Sequence, residues 1–218
     1  MTLDIRDTRR GALAGFALLA LAACGPAYQP EVPQGGAAKQ AEAAATGGAT
    51  AIFAGGCFWC TESDFEKVPG VSEAVSGYTG GTTADPTYEA VSAGGTGHYE
   101  AVRIRYDPAK ISYAQLAAYY FRTVDPVDAG GQFCDRGESY RTAIFVAGDA
   151  ERQAAEAAKA KAQATLGQPI ATPILPAVAF TDAEGYHQDY YKTNSLKYKY
   201  YRSSCGRDAR LKELWDGK

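Results

Sequence analysis

Residues 49–60 read ATAIFAGGCFWC, and no other stretch narrows the fold as much. The apolar run from Thr50 to Gly55 has the length of a buried strand. Phe58, Thr61, Phe65 and Val68 then recur at helical spacing, which predicts a helix over Phe58–Val68. Strand and helix meet at Gly55-Gly56-Cys57. Cys57 is therefore expected at a helix N-terminus, where unpaired N–H groups and the helix dipole stabilise a thiolate. The glycines allow a sharp turn and leave the sulfur approachable. Phe58 and Trp59 can wall a small apolar pocket. Core packing is the plainer account of Phe58, and suits Trp59 less because Trp59 lies off the apolar stripe.

The alternation continues downstream. Val71–Tyr78 and Tyr99–Tyr106 read as strands, the first ended by Gly80-Gly81 and the second by Asp107-Pro108. Ser112 is placed to cap a helix running to about Arg122. Thr142–Ala147 is apolar on both faces, as an inner strand would be. Asp149 is expected to cap an Ala-rich helix to about Leu166 that Gly167 closes. Ala177–Thr181 reads as a short strand, and the Tyr-rich tail after His187 as helical. Leu214 and Trp215 look like a helix end docking on the domain. Interleaved strands and helices predict an α/β or α+β layer fold with a mixed sheet.

The N-terminus is different in kind. Arg6, Arg9 and Arg10 precede an apolar run from Gly11 to Leu21, which suits a signal-peptide core and is short for a membrane span. It ends Leu21-Ala22-Ala23-Cys24, which resembles a bacterial lipobox, so residues 1–23 are expected to be removed and Cys24 lipidated. Ordinary secretory cleavage after Ala23 is the plainer alternative. Residues 24–49 are mostly Ala, Gly, Gln and Pro and read as a flexible tether. Residues 50–218 then form one domain, facing the periplasm from a membrane anchor. A net charge of −3 and a pI near 5.5 argue against a broad nucleic-acid surface. Met1 is the only methionine, which suits work where oxidants attack thioethers.

Four cysteines lie in the domain: Cys57, Cys60, Cys134 and Cys205. In an exported chain an even count first suggests two structural disulfides, although a domain of this size does not need them. A four-thiolate zinc site would usually need two close pairs, and only Cys57 and Cys60 are close. The Cys-x-x-Cys spacing also fits a thioredoxin-like oxidoreductase, but the middle pair Phe-Trp does not. The remaining clue is Gly97-His98-Tyr99-Glu100. With a period of two, Glu100 shares a strand face with Val102, Ile104 and Tyr106. A carboxyl desolvated there would hold its proton near neutral pH and could act as a general acid. His98 reads as a structural loop histidine and His187 as packing.

Together GGCFWC at 55–60, VSGYTGG at 75–81, PTYEAV at 86–91, GHYEAVRIRYDP at 97–108, SYRTAIF at 139–145 and YHQDYY at 186–191 resemble the peptide-methionine (S)-S-oxide reductases, the A type of methionine sulfoxide reductase. The resemblance spans about residues 50–205. It implies a two-layer α/β roll on a mixed sheet, and thiol-dependent reduction of methionine S-sulfoxide, free or in protein. It implies Cys57 as nucleophile, Phe58 and Trp59 as walls around the S-methyl group, and Glu100 as the acid for the sulfoxide oxygen. Tyr88 and Tyr140 match phenols that hydrogen-bond that oxygen. Asp135 matches a polar residue that positions substrate or water.

A second thiol is then expected to condense with the Cys57 sulfenic acid, and a thioredoxin-like dithiol to reduce the product. Cys205, Cys60 and Cys134 are the candidates for that thiol, and the losers are expected to be buried and inert. The segment GGQFCDRGE around Cys134 departs from the loop common in relatives. Cys205-Gly206 is followed by a capped helix rather than a flexible tail. No metal, no organic cofactor and no more than a monomer are expected.

Overall fold

The computed structural model describes Glu31 and residues 48–218. The signal segment, Cys24 and nearly all of the tether expected from the sequence lie outside the described residues. Among the described residues no helix is long and apolar enough to cross a membrane.

Six strands form one mixed sheet: β1 (Ala49–Gly55), β2 (Val71–Thr79), β3 (Tyr99–Tyr106), β6 (Thr142–Val146), β7 (Ile174–Pro176) and β8 (Phe180–Asp182). Their spatial order is β7-β6-β1-β3-β2-β8. Only β6 and β7 run parallel. The hairpin β4 (Gly131–Gln132) and β5 (Asp135–Arg136) stands apart as a two-stranded sheet. The helices are α1 (Phe58–Phe65), α2 (Tyr88–Ala93), α3 (Tyr113–Thr123), α4 (Asp149–Leu166), α5 (Tyr190–Thr193), α6 (Ser195–Ser204) and α7 (Arg207–Trp215).

The two sheet faces are unequal. Phe53, Val102, Ile104 and Ile144 point to the face covered by helices, where Leu116, Tyr120, Leu211 and Trp215 complete a large core. The other face carries a small cluster, Ala54, Tyr99, Ala101, Ala143 and Phe145. The layers are thus one sheet and one set of helices, as the resemblance implied.

Local signals account for most boundaries. The Ser112 hydroxyl accepts from the Gln115 N–H, and the Gln115 side chain reaches back to the Ser112 N–H, a complete capping box for α3. Gly167 ends α4 in the left-handed conformation. Three expectations need correction. Helix α1 stops at Phe65, where Val68 joins a turn that bonds back to the Phe65 carbonyl. Gly148, not Asp149, occupies the N-cap of α4, and Asp149 is its first helical residue. Ala177–Thr181 is not one strand. β7 ends at Pro176 and β8 starts at Phe180, because the chain crosses from one sheet edge to the other between them. Short apolar runs carry no signal for such a crossing.

Candidate active site

Cys57 sits where strand β1 gives way to α1, at the N-cap position, with its carbonyl accepting from the Cys60 and Thr61 N–H groups. The turn depends on Gly56, whose φ of +78° is left-handed. A Cβ there would also lie 2.5 Å from the Gln132 side chain, so β4 packs directly over the turn. Helix α1 is buried almost all round, polar residues included. Glu62, Ser63 and Asp64 are as enclosed as Phe58 and Phe65. An apolar stripe could not forecast that.

Glu100 lies beneath this helix start. It is 2% exposed and accepts from the Phe58 N–H at 3.0 Å. Burial pushes its carboxyl up to about 8, against the lowering effect of that bond. The period-two reading of β3 therefore holds, and Glu100 carries a proton at neutral pH. Tyr88, at the start of α2, and Tyr140, in the turn before β6, are half-buried and hydrogen-bonded to each other. Burial and then the Glu100 carboxylate raise Tyr88, and the same two causes, in that order, raise Tyr140. Both phenols are firm donors. The five groups Cys57, Phe58, Glu100, Tyr88 and Tyr140 thus come together.

Trp59 is half-buried and stacks on Tyr190 with centroids 3.7 Å apart. Its indole N–H donates to His187 Nδ1 at 3.0 Å. His187 is buried and packs against Phe58, Trp59, Tyr88 and Tyr186. Packing was the expectation for His187, and the hydrogen bond adds a fixed orientation for Trp59. His98 accepts from the Gly81 N–H and contacts the Thr83 carbonyl at 2.9 Å, a loop role as expected.

Two of the three candidates for the resolving thiol, Cys134 and Cys205, are bonded to each other. Cys134 is exposed and Cys205 half-buried. Cys57 and Cys60 are free and buried. Their side chains are hydrogen-bonded together. Burial, then the bond to Cys60 and its charge, push the Cys57 thiol up despite the helix N-terminus. The bond from Cys57 and then the Arg207 and Arg202 guanidiniums draw Cys60 down to about 7, against its burial.

Those arginines belong to a buried ion cluster that joins the tail to α1. Arg202 pairs with Asp64 at 2.8 Å and with Asp208 at 2.7 Å. Arg207 is 2% exposed and donates to the Gly55 and Thr123 carbonyls.

Several site residues escaped the sequence reading. The Tyr201 hydroxyl lies within hydrogen-bonding reach of both the Asp135 carboxylate and the Cys57 sulfur. Asp135 is half-buried on β5, raised by that burial, and flanked by the disulfide sulfurs at 3.8 and 3.9 Å. Glu184 accepts from the Tyr88 N–H and the Tyr78 hydroxyl. Glu62, raised to about 7 by burial, accepts from the Ser76 hydroxyl and the Asp189 N–H. The sequence signal for the tail was its density of Tyr, which did not say which rings turn inward.

Two clusters have the spacing of metal ligands among the described residues. In Cys134, Asp135 and Cys205 the sulfurs are spent on the disulfide. In Glu62, Glu66 and Asp189 the Lys192 ammonium pairs with both Glu66 and Asp189.

Residues 49–218 match the family model described as Peptide methionine sulfoxide reductase. The chain is 54% identical over 165 residues to Peptide methionine sulfoxide reductase MsrA 2 of Rhizobium meliloti, covering 76% of this chain and 82% of that one. It is 56% identical over 169 residues to the protein of the same name from Caulobacter vibrioides, covering 77% and 86%. Among solved structures it resembles reduced Mxr1 from Saccharomyces cerevisiae, with TM-score 0.65 and 32% identity over 68% of this chain and 87% of that one. Methionine sulfoxide reductase A of Corynebacterium diphtheriae is similar to the same degree, with TM-score 0.63 and 32% identity over 70% and 78%. With most of its length matched at such identity, the chain belongs to the peptide methionine sulfoxide reductase family of oxidoreductases.

Proposed function

We propose that the protein reduces the S epimer of methionine sulfoxide to methionine, as the free amino acid and in oxidised proteins, with Cys57 as nucleophile. The observation that carries this reading is Glu100, a carboxyl kept protonated by burial directly under the Cys57 turn. A sulfoxide oxygen leaves only when protonated. A buried acid beside a thiol, with two phenols nearby, is the arrangement that chemistry needs.

In the reaction Cys57 attacks the sulfoxide sulfur. Glu100 gives its proton to the oxygen, and Tyr88 and Tyr140 hold that oxygen through hydrogen bonds. Phe58 and Trp59 enclose the S-methyl group, and Trp59 is oriented by His187 and Tyr190. The substrate S–O bond breaks, methionine leaves, and the oxygen is transferred to Cys57 as sulfenic acid. Asp135 positions substrate or water through Tyr201. A second thiol of the chain then forms a disulfide with release of water, and an external thioredoxin-like dithiol restores the thiols. No step calls for a metal or organic cofactor.

The lipobox-like end at Cys24 supports export and lipid anchoring, with the domain working at the cell envelope as a repair enzyme. Replacing Cys24→Ala should release the protein from the membrane fraction, and unchanged retention would defeat the anchor. The activity test is incubation with dithiothreitol and separated S and R epimers of N-acetyl-methionine sulfoxide. Consumption of S alone is expected, whereas consumption of neither would overturn the assignment.

A further inference from the structure

Resting on that reading, we propose that Glu62 is a positioning residue that holds the Trp59 wall in place through the backbone of Asp189, and that it thereby makes the pocket selective for an S-methyl group over larger S-alkyl groups. Trp59 and Glu62 are three residues apart on α1 and so share a face of the helix. Both reach one short segment of the tail. Trp59 donates to His187 Nδ1 at 3.0 Å and stacks on Tyr190. Glu62 accepts at 2.8 Å from the N–H of Asp189, which lies between those two residues in the chain. Its other oxygen accepts from the Ser76 hydroxyl at 2.8 Å, which ties the carboxylate to β2. A closed ring of contacts therefore runs from α1 through Trp59, His187 and Asp189 back to α1.

The segment gains from such an anchor. Asp189 has a φ of +52°, uncommon for a residue with a side chain, and α5 after it has four residues, too few to form a helix unaided. The Gln188 side chain adds a second anchor, pairing with the Ser76 N–H at 3.0 Å and the Ser76 carbonyl at 2.9 Å. Glu66, at the end of α1, takes the Tyr191 hydroxyl and the Lys192 ammonium. Glu62 is the group that grips the main chain between the two residues touching Trp59. It is buried, and a carboxylate there costs desolvation that an apolar side chain would avoid. Its two donors account for its presence. With the segment fixed, Trp59 cannot swing aside, and a fixed apolar pocket discriminates one extra methylene by about 10–200-fold.

The test uses the full chain with dithiothreitol and compares kcat/KM for the S-sulfoxides of N-acetyl-methionine and N-acetyl-ethionine. The parent should favour the methyl substrate by roughly tenfold or more. Glu62→Leu removes both acceptors at similar volume and should cut that ratio by about threefold or more, with the loss for the methyl substrate mainly in KM. Glu62→Ala repeats the measurement if the leucine disturbs folding. A merely structural role would lower the fraction of active protein, which scales both substrates alike and leaves the ratio unchanged. Glu62→Gln can still accept from the Asp189 N–H and donate to the Ser76 hydroxyl, so it should restore the ratio. The emission of Trp59, taken against the same protein carrying Trp59→Phe, should shift in Glu62→Leu and return in Glu62→Gln. An unchanged ratio in Glu62→Leu, or Glu62→Gln behaving as Glu62→Leu does, would overturn the inference and leave the reductase reading intact. No turnover by the parent would instead defeat the reductase reading, while the emission would still report whether Glu62 holds Trp59.

Discussion

The floor and the rim of the site are built by opposite means. The floor is the β1–α1 junction and strand β3, regular elements that place Cys57, Phe58 and Glu100 by strand register and helix geometry. The rim is the β4–β5 hairpin, the turn before α5 and helix α6, short separate pieces that place Asp135, His187 and Tyr201 by long-range bonds. Asp189 is held in the left-handed region, and its N–H is fixed by Glu62 at 2.8 Å. The floor carries the groups whose protonation the proposed chemistry uses. The rim orients aromatic walls and carries the exposed sulfur. A regular scaffold suits reacting groups because backbone geometry leaves them little freedom.

The largest expected effect lies on the floor. Cys57→Ser should abolish turnover, and activity within about a thousandfold of the parent would break the assignment of the floor as the chemical half. Glu100→Gln comes next, with a fall of about 10²–10³-fold in kcat/KM. The parent's kcat/KM should decline as pH rises through about 8, where Glu100 ionises, and the variant should lack that limb. The sign for stability agrees. Glu100 is raised in the folded state, so its contribution is full below its ordinary range near 4.5 and is lost as pH rises through about 8.

The joint between the halves is tested by Asp64→Asn. It strands Arg202 and Arg207 without their shared carboxylate and should cost about 3 kcal/mol in urea unfolding. A loss below roughly 1 kcal/mol would mean that the rim holds to α1 by packing alone. Tyr201→Phe, a rim change that also removes the hydroxyl beside Cys57, should lower kcat by about tenfold and leave the limb near 8 in place. A shift of that limb would show that rim and floor titrate together. Smallest is Ser112→Ala, remote from both halves. It removes the α3 cap and should cost about 1 kcal/mol with kinetics unchanged.

The same division explains what could be read from the sequence. Glu100 was legible because strand period forces it to the face of Val102 and Ile104. Cys57 was legible because glycines, strand and helical stripe meet around it. Ser112 and Gly167 announced their helix ends by local chemistry. The resemblance to a known family supplied Tyr88, Tyr140 and Asp135, which no period marks. Tyr201 was unreadable because its partners, Asp135 and Cys57, lie 66 and 144 positions away and follow from the tertiary path alone. The Cys134–Cys205 bond spans 71 residues and was hidden for the same reason. The protonation of the thiol pair also went against the local signal. A helix N-terminus favours the Cys57 thiolate, but burial and then the neighbouring Cys60 push that thiol up.

Strand β1 has one more consequence. It enters the fold at Ala49 and delivers Cys57 just past its far end, seven strand residues on, a span of about 20 Å. Whatever precedes residue 48 therefore attaches to the side of the domain away from the reactive sulfur. If the protein is held at a surface by its N-terminus, its mouth looks outward, and a bulky client can approach without the holding surface in its way.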